Sequence, residues 1–212
     1  MYVALPLTYQ ATPNAERLGW RLGVQAYSFN TITFFEAIDK VQELNLKYIE
    51  AMPFGVLSPA HRQVRTNHRM SPSQRVLMKE KLWEAGVTLI NYGVVPLPND
   101  EAACREVFDF AKDMGIETIV SEPPPEALDL VARLCDEYEI DVAIHNHPVP
   151  SAYWDPQTVL NAVKDRTQRM GACADTSHWM RSGLDVVECL RLLEGRIKCF
   201  HLGEVSGPEA EI

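Results

Sequence analysis

The sequence lacks the features of several large protein classes. It has no basic excess: 20 lysines and arginines stand against 29 aspartates and glutamates, which gives a formal net charge of −9 at pH 7. A nucleic-acid-binding surface needs a basic face, so we expect no nucleic-acid partner. No apolar run reaches transmembrane length, and residues 1–20 lack the basic and apolar regions of a signal peptide. We therefore expect no membrane association.

Disulfide scaffolds and common catalytic motifs are also absent. The five cysteines are odd in number and form no CxxC pair, which argues against a disulfide framework and a zinc ribbon. Most of them fall within apolar stretches, so we interpret them as reduced core thiols in a soluble cytoplasmic protein. The sequence contains no Gly-rich phosphate loop, GxSxG elbow or HExxH motif.

What the sequence does contain is a regular alternation of short apolar runs and amphipathic stretches. Helix-start signals separate the runs: a capping box at Thr33, a Ser71-Pro72 pair, Asn99, an Asp155-Pro156 pair and Ser182. Strand spacings of roughly 25–40 residues are typical of βα units and a parallel sheet. The predicted strands are residues 21–27, 47–51, 88–92, 117–121, 141–144, 171–174 and 196–200.

Seven successive βα units suit a (β/α) barrel better than a doubly wound sheet. A complete barrel has eight strands, yet only the polar tail 202–212 follows the seventh predicted strand. We predict an extension over residues 1–20 and a barrel domain over residues 21–212 that lacks the eighth βα unit. Open sheet edges invite pairing, so we expect the run 2–9 or a second copy of the chain to cover them, and favour a homo-oligomer.

Polar residues close the apolar strands, and in a parallel α/β fold those strand ends share one rim. His145 closes the fifth predicted strand, Asp175 the sixth and His201 the seventh. A single histidine at such a place is more often hydrogen-bonded to backbone. The coincidence of all three favours a divalent-ion site, because imidazole and carboxylate together suit zinc, manganese or iron.

Further candidates surround this set. Glu122 and Glu50 close two other strands and are candidate general bases, although Glu50 could equally pair with an arginine. His147 lies two residues after His145, so both side chains project to the same side of an extended backbone. We expect His147 and His178 to bind substrate. For Asp175, a helix-cap role is the alternative, but Ser182 is better placed as a cap.

Several of these segments resemble sugar phosphate isomerases/epimerases of the xylose-isomerase-like TIM barrel superfamily. The likeness spans about residues 20 to 205, and its Asp-Thr-x-His and Arg-Ile-x-x-x-His-Leu elements are fairly specific together. It is carried by Gly23-Val-Gln-Ala-Tyr-Ser-Phe29, Tyr48-Ile-Glu-Ala51, Ala143-Ile-His-Asn-His-Pro148, Ala174-Asp-Thr-Ser-His178 and Gly195-Arg-Ile-Lys-Cys-Phe-His-Leu202.

The resemblance implies a divalent ion (Mn, Zn, Mg or Fe) held by Asp175 and His201. The family's strand-five carboxylate is replaced by His145, which becomes the third predicted ligand. The strand-eight glutamate has no counterpart, and Glu204 stands where the family has an acidic residue after His-Leu. We expect a metal-dependent isomerase or epimerase that acts on a carbohydrate, a sugar or sugar phosphate, through an enediolate intermediate.

Two other functions compete with this hypothesis. Without its eighth strand, the chain could be a degenerate, non-catalytic sugar-binding or accessory subunit. An abasic-site endonuclease of the same superfamily is disfavoured by the acidic charge and the missing ligands. Trp179, next to His178, could stack on a sugar face, although a core or lid role is equally consistent with the sequence.

Overall fold

The computed structural model describes residues 12–203, and within them seven strands form one sheet in the sequential order β1 to β7. Each defined strand pairing is parallel. All seven predicted strands are present, but the first is shorter than predicted because residues 26–29 form a 3-10 helix. The strands are β1 (Gly23–Gln25), β2 (Tyr48–Ala51), β3 (Thr88–Tyr92), β4 (Thr118–Ser121), β5 (Asp141–His145), β6 (Met170–Asp175) and β7 (Ile197–His201).

Helices connect the strands, and most begin where the sequence predicts. Thr33 and Ser71 both form complete capping boxes. The cap of α4 is Asp100 rather than Asn99, because the Asp100 carboxylate accepts from the backbone N–H of Ala103. The α-helices are α1 (Pro13–Arg17), α2 (Phe34–Glu43), α3 (Pro72–Ala85), α4 (Glu101–Met114), α5 (Leu128–Tyr138), α6 (Pro156–Val163), α7 (Thr176–Arg181) and α8 (Val186–Leu192).

The helix after β6 differs most from the sequence prediction. Ser182 is predicted to cap a helix over 184–193, but it ends α7 instead, a six-residue helix that the sequence did not indicate. The next helix, α8, is capped by Asp185, whose carboxylate accepts from the N–H groups of Val187 and Glu188. Asp175 caps α7 itself. The predicted cap was wrong because α7 is too short to show helical periodicity.

The chain divides into two compact units, residues 1–66 with 70–89 and residues 67–69 with 90–212. In the first, the apolar face of α2 packs on β2, and Ile38, Val41 and Ile49 are fully buried there. The backbone N–H groups of Phe34 and Phe35, at the start of α2, donate to the carbonyls of Val56 and Leu57 in the loop after β2. The N-terminus of α2 is therefore satisfied within its own unit.

In the second unit the central strands are buried on both faces, as expected for a parallel sheet covered by helices. Every residue of β4 and β6 is buried. Arg196, just before β7, donates to the backbone carbonyls of Lys164, Arg166, Thr167 and Met170. The arginine of the Arg-Ile-x-x-x-His-Leu element thus fixes the loop between α6 and β6.

Some predictions fall outside what the structure describes. The run 2–9 and Glu204 lie outside the described residues, and the domain boundary and the homo-oligomer stay predictions. Four of the five cysteines are buried, in keeping with core thiols. Among the described residues, no helix is both long and apolar enough to cross a membrane.

Gly171 in β6 lies against the backbone of Arg196, just before β7. A Cβ at this position would lie 2.0 Å from the backbone oxygen of Arg196, an atom that cannot move without shifting β7. We expect Gly171→Ala to lower the free energy of unfolding by about 3 kcal/mol, measured by urea denaturation. The control is Gly115→Ala, which meets open space at φ +72° and costs about 1–2 kcal/mol. Equal losses in both variants would contradict the steric account.

Candidate metal centre

The last residues of three neighbouring strands meet at one edge of the sheet. His145 ends β5, and Asp175 and His201, which end β6 and β7, are partners in the β6–β7 register. The predicted convergence of these three residues is therefore present in the structure. Their side chains differ in exposure: His145 is 3% exposed, whereas His201 is half-buried.

The two carboxylate oxygens of Asp175 have different surroundings. Oδ1 accepts from the Ser177 hydroxyl at 2.6 Å and from the His178 backbone N–H at 3.0 Å. Oδ2 faces imidazole nitrogens of His145 at 3.5 Å, His178 at 3.6 Å and His201 at 3.8 Å. One oxygen thus caps α7, and the other is directed at three histidines.

These three separations are informative because of their length. They are too long for good hydrogen bonds, which lie near 2.7–3.2 Å. Two ligands bonded to one zinc ion at about 2.0–2.1 Å in a tetrahedron stand roughly 3.3–3.4 Å apart. The nitrogens that face Oδ2 are the Nε2 atoms of His145 and His178 and the Nδ1 of His201. The donor atoms present therefore fit a divalent ion.

Asn146 holds the end of β6 against the end of β5. Its side-chain amide donates to the carbonyl of Asp175 at 2.9 Å and accepts from the N–H of Asp175 at 2.8 Å. Asn146 is 1% exposed. Nothing in the sequence predicts this role of Asn146, because only the register of β5 and β6 shows what its amide reaches. The amide fixes the backbone position from which the Asp175 carboxylate projects.

Glu122 follows β4 and approaches the same cluster. Its Oε1 contacts the Nδ1 of His147 and lies 3.6 Å from the Nδ1 of His145, while its Oε2 accepts from the Ser151 hydroxyl at 2.8 Å. Burial raises the pKa of Glu122, but contacts with the two imidazoles and the hydroxyl outweigh it and lower the pKa to about 2. Glu122 is a carboxylate at neutral pH.

The surroundings of His145 and His178 shift their pKa values in opposite directions. Burial lowers the pKa of His145, but its contacts with Asp175 and Glu122 raise the pKa by more, so the net shift is upward. Burial is the main cause that lowers the pKa of His178 to about 4, which leaves this ring neutral at pH 7. His147 is exposed, and its ring centre lies 4.4 Å from that of His145, as expected for side chains on one side of a strand.

Two groups of side chains could each hold a metal ion: His145 with His147 and His178, and His145 with Cys173 and His201. Within each group, the possible ligand atoms all lie within 4.8 Å of one another. His145 belongs to both groups. Asp175 belongs to neither, although its Oδ2 lies within 3.8 Å of three of these histidines. We favour Asp175 over Cys173 as a metal ligand, because hydrogen bonds to its Oδ1 fix the carboxylate with Oδ2 directed at the histidines. Cys173 was interpreted only as a core thiol, since nothing in its apolar strand indicates a ligand.

Glu50 and Trp179 are two further predicted site residues, and both are buried. Glu50 is 5% exposed within the first unit, and its catalytic role stays a prediction. Trp179 is 1% exposed on α7, so its predicted substrate contact also stays a prediction. The first unit has a cavity of about 420 Å³ lined by residues that include Glu36, Arg62 and Arg65, and none of the predicted site residues lines it.

Comparison with known proteins identifies the relatives of this chain. A crystal structure of an uncharacterised protein from Parabacteroides distasonis is 30% identical, with a TM-score of 0.74; the alignment covers 89% of this chain and 82% of that one. Other matches with this fold are xylose-isomerase-like TIM barrels. The chain has the xylose-isomerase-like TIM barrel fold. No protein-family model and no curated protein matches its sequence.

More distant members of the xylose-isomerase-like superfamily share the fold. A D-tagatose 3-epimerase-like protein is 17% identical with a TM-score of 0.65, and the alignment covers 89% of this chain and 77% of that one. A Mycobacterium smegmatis protein whose structure contains magnesium is 13% identical with a TM-score of 0.64, and the alignment covers 91% of this chain and 76% of that one. The predicted fold class, a barrel of this type with seven of its βα units, is confirmed.

The two hydrogen bonds between the Asn146 side chain and the backbone of Asp175, which we call the Asn146 clamp, make a testable contribution to stability. Replacing Asn146 with leucine keeps the approximate volume but removes both hydrogen bonds from its side chain to the buried backbone of Asp175. We expect Asn146→Leu to lower the free energy of unfolding by about 2–4 kcal/mol, measured by urea denaturation. The control is Asn161→Leu on the exposed face of α6, where a change within about 0.5 kcal/mol is expected. A loss as small as the control's would show that the clamp is not needed.

Proposed function

We propose that this chain is a metal-dependent isomerase or epimerase of a sugar or sugar phosphate. The observation that carries the proposal is the Oδ2 atom of Asp175, which faces three imidazoles at distances suited to ligands of a shared ion. Members of the superfamily that share the fold include a D-tagatose 3-epimerase-like protein and a 3-keto-D-glucoside 4-epimerase. These relatives support a carbohydrate substrate.

The ligand chemistry favours zinc or a similar transition metal over magnesium. The fold alone does not select the ion, because the IolI protein structure contains zinc and the Mycobacterium smegmatis structure contains magnesium. Magnesium prefers an octahedron of oxygen ligands, whereas imidazole suits zinc, iron and their neighbours. We propose Asp175, His145 and His201 as the ligands.

The ion, when bound, would polarise a carbonyl and an adjacent hydroxyl of the substrate and so acidify the intervening C–H. Glu122 is ionised and would accept that proton. The contact with His147 gives the carboxylate a partner that can share the proton, and the Ser151 hydroxyl holds its other oxygen. His178 is neutral at pH 7 and offers a hydrogen bond to the substrate without adding charge.

The metal ligands are tested by Asp175→Asn, which keeps an oxygen for the α7 cap but removes the charge. Wild-type protein purified without added ions is expected to hold about one divalent ion per chain by mass spectrometry. We expect Asp175→Asn to lose most of that ion and to keep a cooperative unfolding transition. Asp165→Asn, on an exposed loop, serves as the control and should retain the ion. Full metal content in Asp175→Asn, or none in wild type, contradicts the ligand assignment.

The catalytic base is tested by following proton exchange in heavy water. Wild-type protein incubated with a panel of ketoses, aldoses and sugar phosphates should place deuterium on carbon beside the carbonyl, detected by NMR. Glu122→Gln removes the base, so we expect the exchange rate to fall by roughly 10²-fold or more. The control is Glu126→Gln, an exposed residue of the next turn. An unchanged rate in Glu122→Gln excludes it as the base. Bound metal without any exchange would instead fit a non-catalytic sugar-binding subunit.

A further inference from the structure

Helix α7 contains four buried nitrogen atoms that have no hydrogen-bond partner within residues 12–203. They are the Nδ1 of His178, the Nε1 of Trp179 and both the Nε and Nη2 of Arg181. Trp179 is 1% exposed, and Arg181 is half-buried with these two nitrogens shielded from solvent. This concentration on one short helix is unlike the rest of the described structure, where buried backbone and side-chain groups are mostly paired.

The guanidinium of Arg181 is the costliest of these groups to leave unpaired. It stays protonated at any pH at which the protein is folded, so it cannot relieve burial by losing its charge. A buried charge without a partner destabilises the folded state. Packing alone gives no reason for an arginine here. A residue that weakens the free protein in this way is commonly retained because it binds something.

Arg181 is close to the candidate metal centre. It follows His178 by three residues, so both side chains lie on the same face of α7. The Nε2 of His178 faces Asp175, and its Nδ1 is the unpaired atom. The charge of Arg181 is also felt at the His178 ring: burial is the main cause of the lowered pKa of His178, and Arg181 is among the lesser ones.

The carboxylates of the cluster are already engaged. Asp175 uses Oδ1 for the α7 cap and directs Oδ2 at the histidines. Glu122 contacts His147 with one oxygen and Ser151 with the other. Neither oxygen pair makes a hydrogen bond or an ion pair with Arg181 in the described structure. The acceptor that Arg181 lacks must therefore come from outside this set.

We propose that Arg181, three residues after His178 on α7, binds an anionic group of the substrate, either a carboxylate or a phosphate. The inference rests on the proposed function, because it assigns the anion to the sugar that the metal centre acts on. The planar guanidinium presents paired N–H donors that match both groups. A neutral sugar would leave the guanidinium unpaired, so the same residue would select against it.

Three small compounds that differ only in the anion test this proposal. Glycerate carries a carboxylate, glycerol 3-phosphate carries a phosphate and glycerol carries neither. Binding to the full-length protein, as purified and after metal removal, is measured by ligand-observed NMR titration at millimolar concentrations. We expect one of the two anions to bind roughly tenfold or more tightly than glycerol in both preparations. Preference for glycerate assigns a sugar acid, and preference for glycerol 3-phosphate assigns a phosphate ester.

Variants of Arg181 separate binding from structure. Arg181→Gln should lose the preference for the anion. Arg181→Lys should keep part of that preference, because lysine retains the positive charge without the paired N–H donors of the planar guanidinium. Arg191→Gln, an exposed arginine on α8, is the matched control and should bind like wild type. Arg181→Met should leave the melting temperature unchanged or raise it, since it removes unpaired buried donors.

Either of two results overturns the proposal. The first is equal binding of glycerol and both anions to wild type, or unchanged anion binding in Arg181→Gln and Arg181→Lys. The second is a marked fall in the melting temperature of both Arg181→Met and Arg181→Lys, which would make Arg181 a structural residue. Deuterium exchange without anion preference would refute only this inference. Anion preference lost in Arg181→Gln, without any exchange, would refute only the isomerase function.

Discussion

The position of the Asp175 carboxylate is the constraint on which the candidate centre depends. Its backbone is held at the end of β6 by two hydrogen bonds to Asn146, and its Oδ1 is fixed by Ser177 and by the first turn of α7. Four hydrogen bonds on one residue leave Oδ2 little freedom. The oxygen that faces the histidines is thus placed by the fold rather than by the histidines themselves, which is the preorganisation that a ligand needs.

Burying a carboxylate is unfavourable unless the protein compensates for the lost water. For Asp175 burial raises the pKa, but the His145 imidazole, the Ser177 hydroxyl and further contacts with His178 lower it more, so the carboxylate is charged. Glu122 shows the same balance. Two ionised carboxylates among four imidazoles, with the buried Nδ1 atoms of His145 and His178 lacking a hydrogen-bond partner among the described residues, form an arrangement that a packed core has no need to build. This is why the cluster is better explained by ligand binding than by stability.

The sequence predicted the parts of this centre that depend on strand order. His145, Asp175 and His201 converge because each closes a strand of a parallel sheet, which a linear pattern reveals. The Asn146 clamp could not be predicted, since it depends on which backbone group the amide reaches across β5 and β6. The sequence allows a cap by Asp175 as the alternative but favours Ser182, because α7 is too short to show a helical pattern. Arg181 also gave no signal, because an unpaired guanidinium is recognised only when its surroundings are known.

The most direct measurement is anomalous diffraction at the zinc edge from crystals of the protein grown with zinc. The account predicts a single strong peak bonded to the Oδ2 of Asp175 and to imidazole nitrogens of His145 and His201, with Oδ1 still capping α7. A peak that does not touch Asp175 Oδ2, or no peak at the ends of β5, β6 and β7 under zinc saturation, would contradict the central claim.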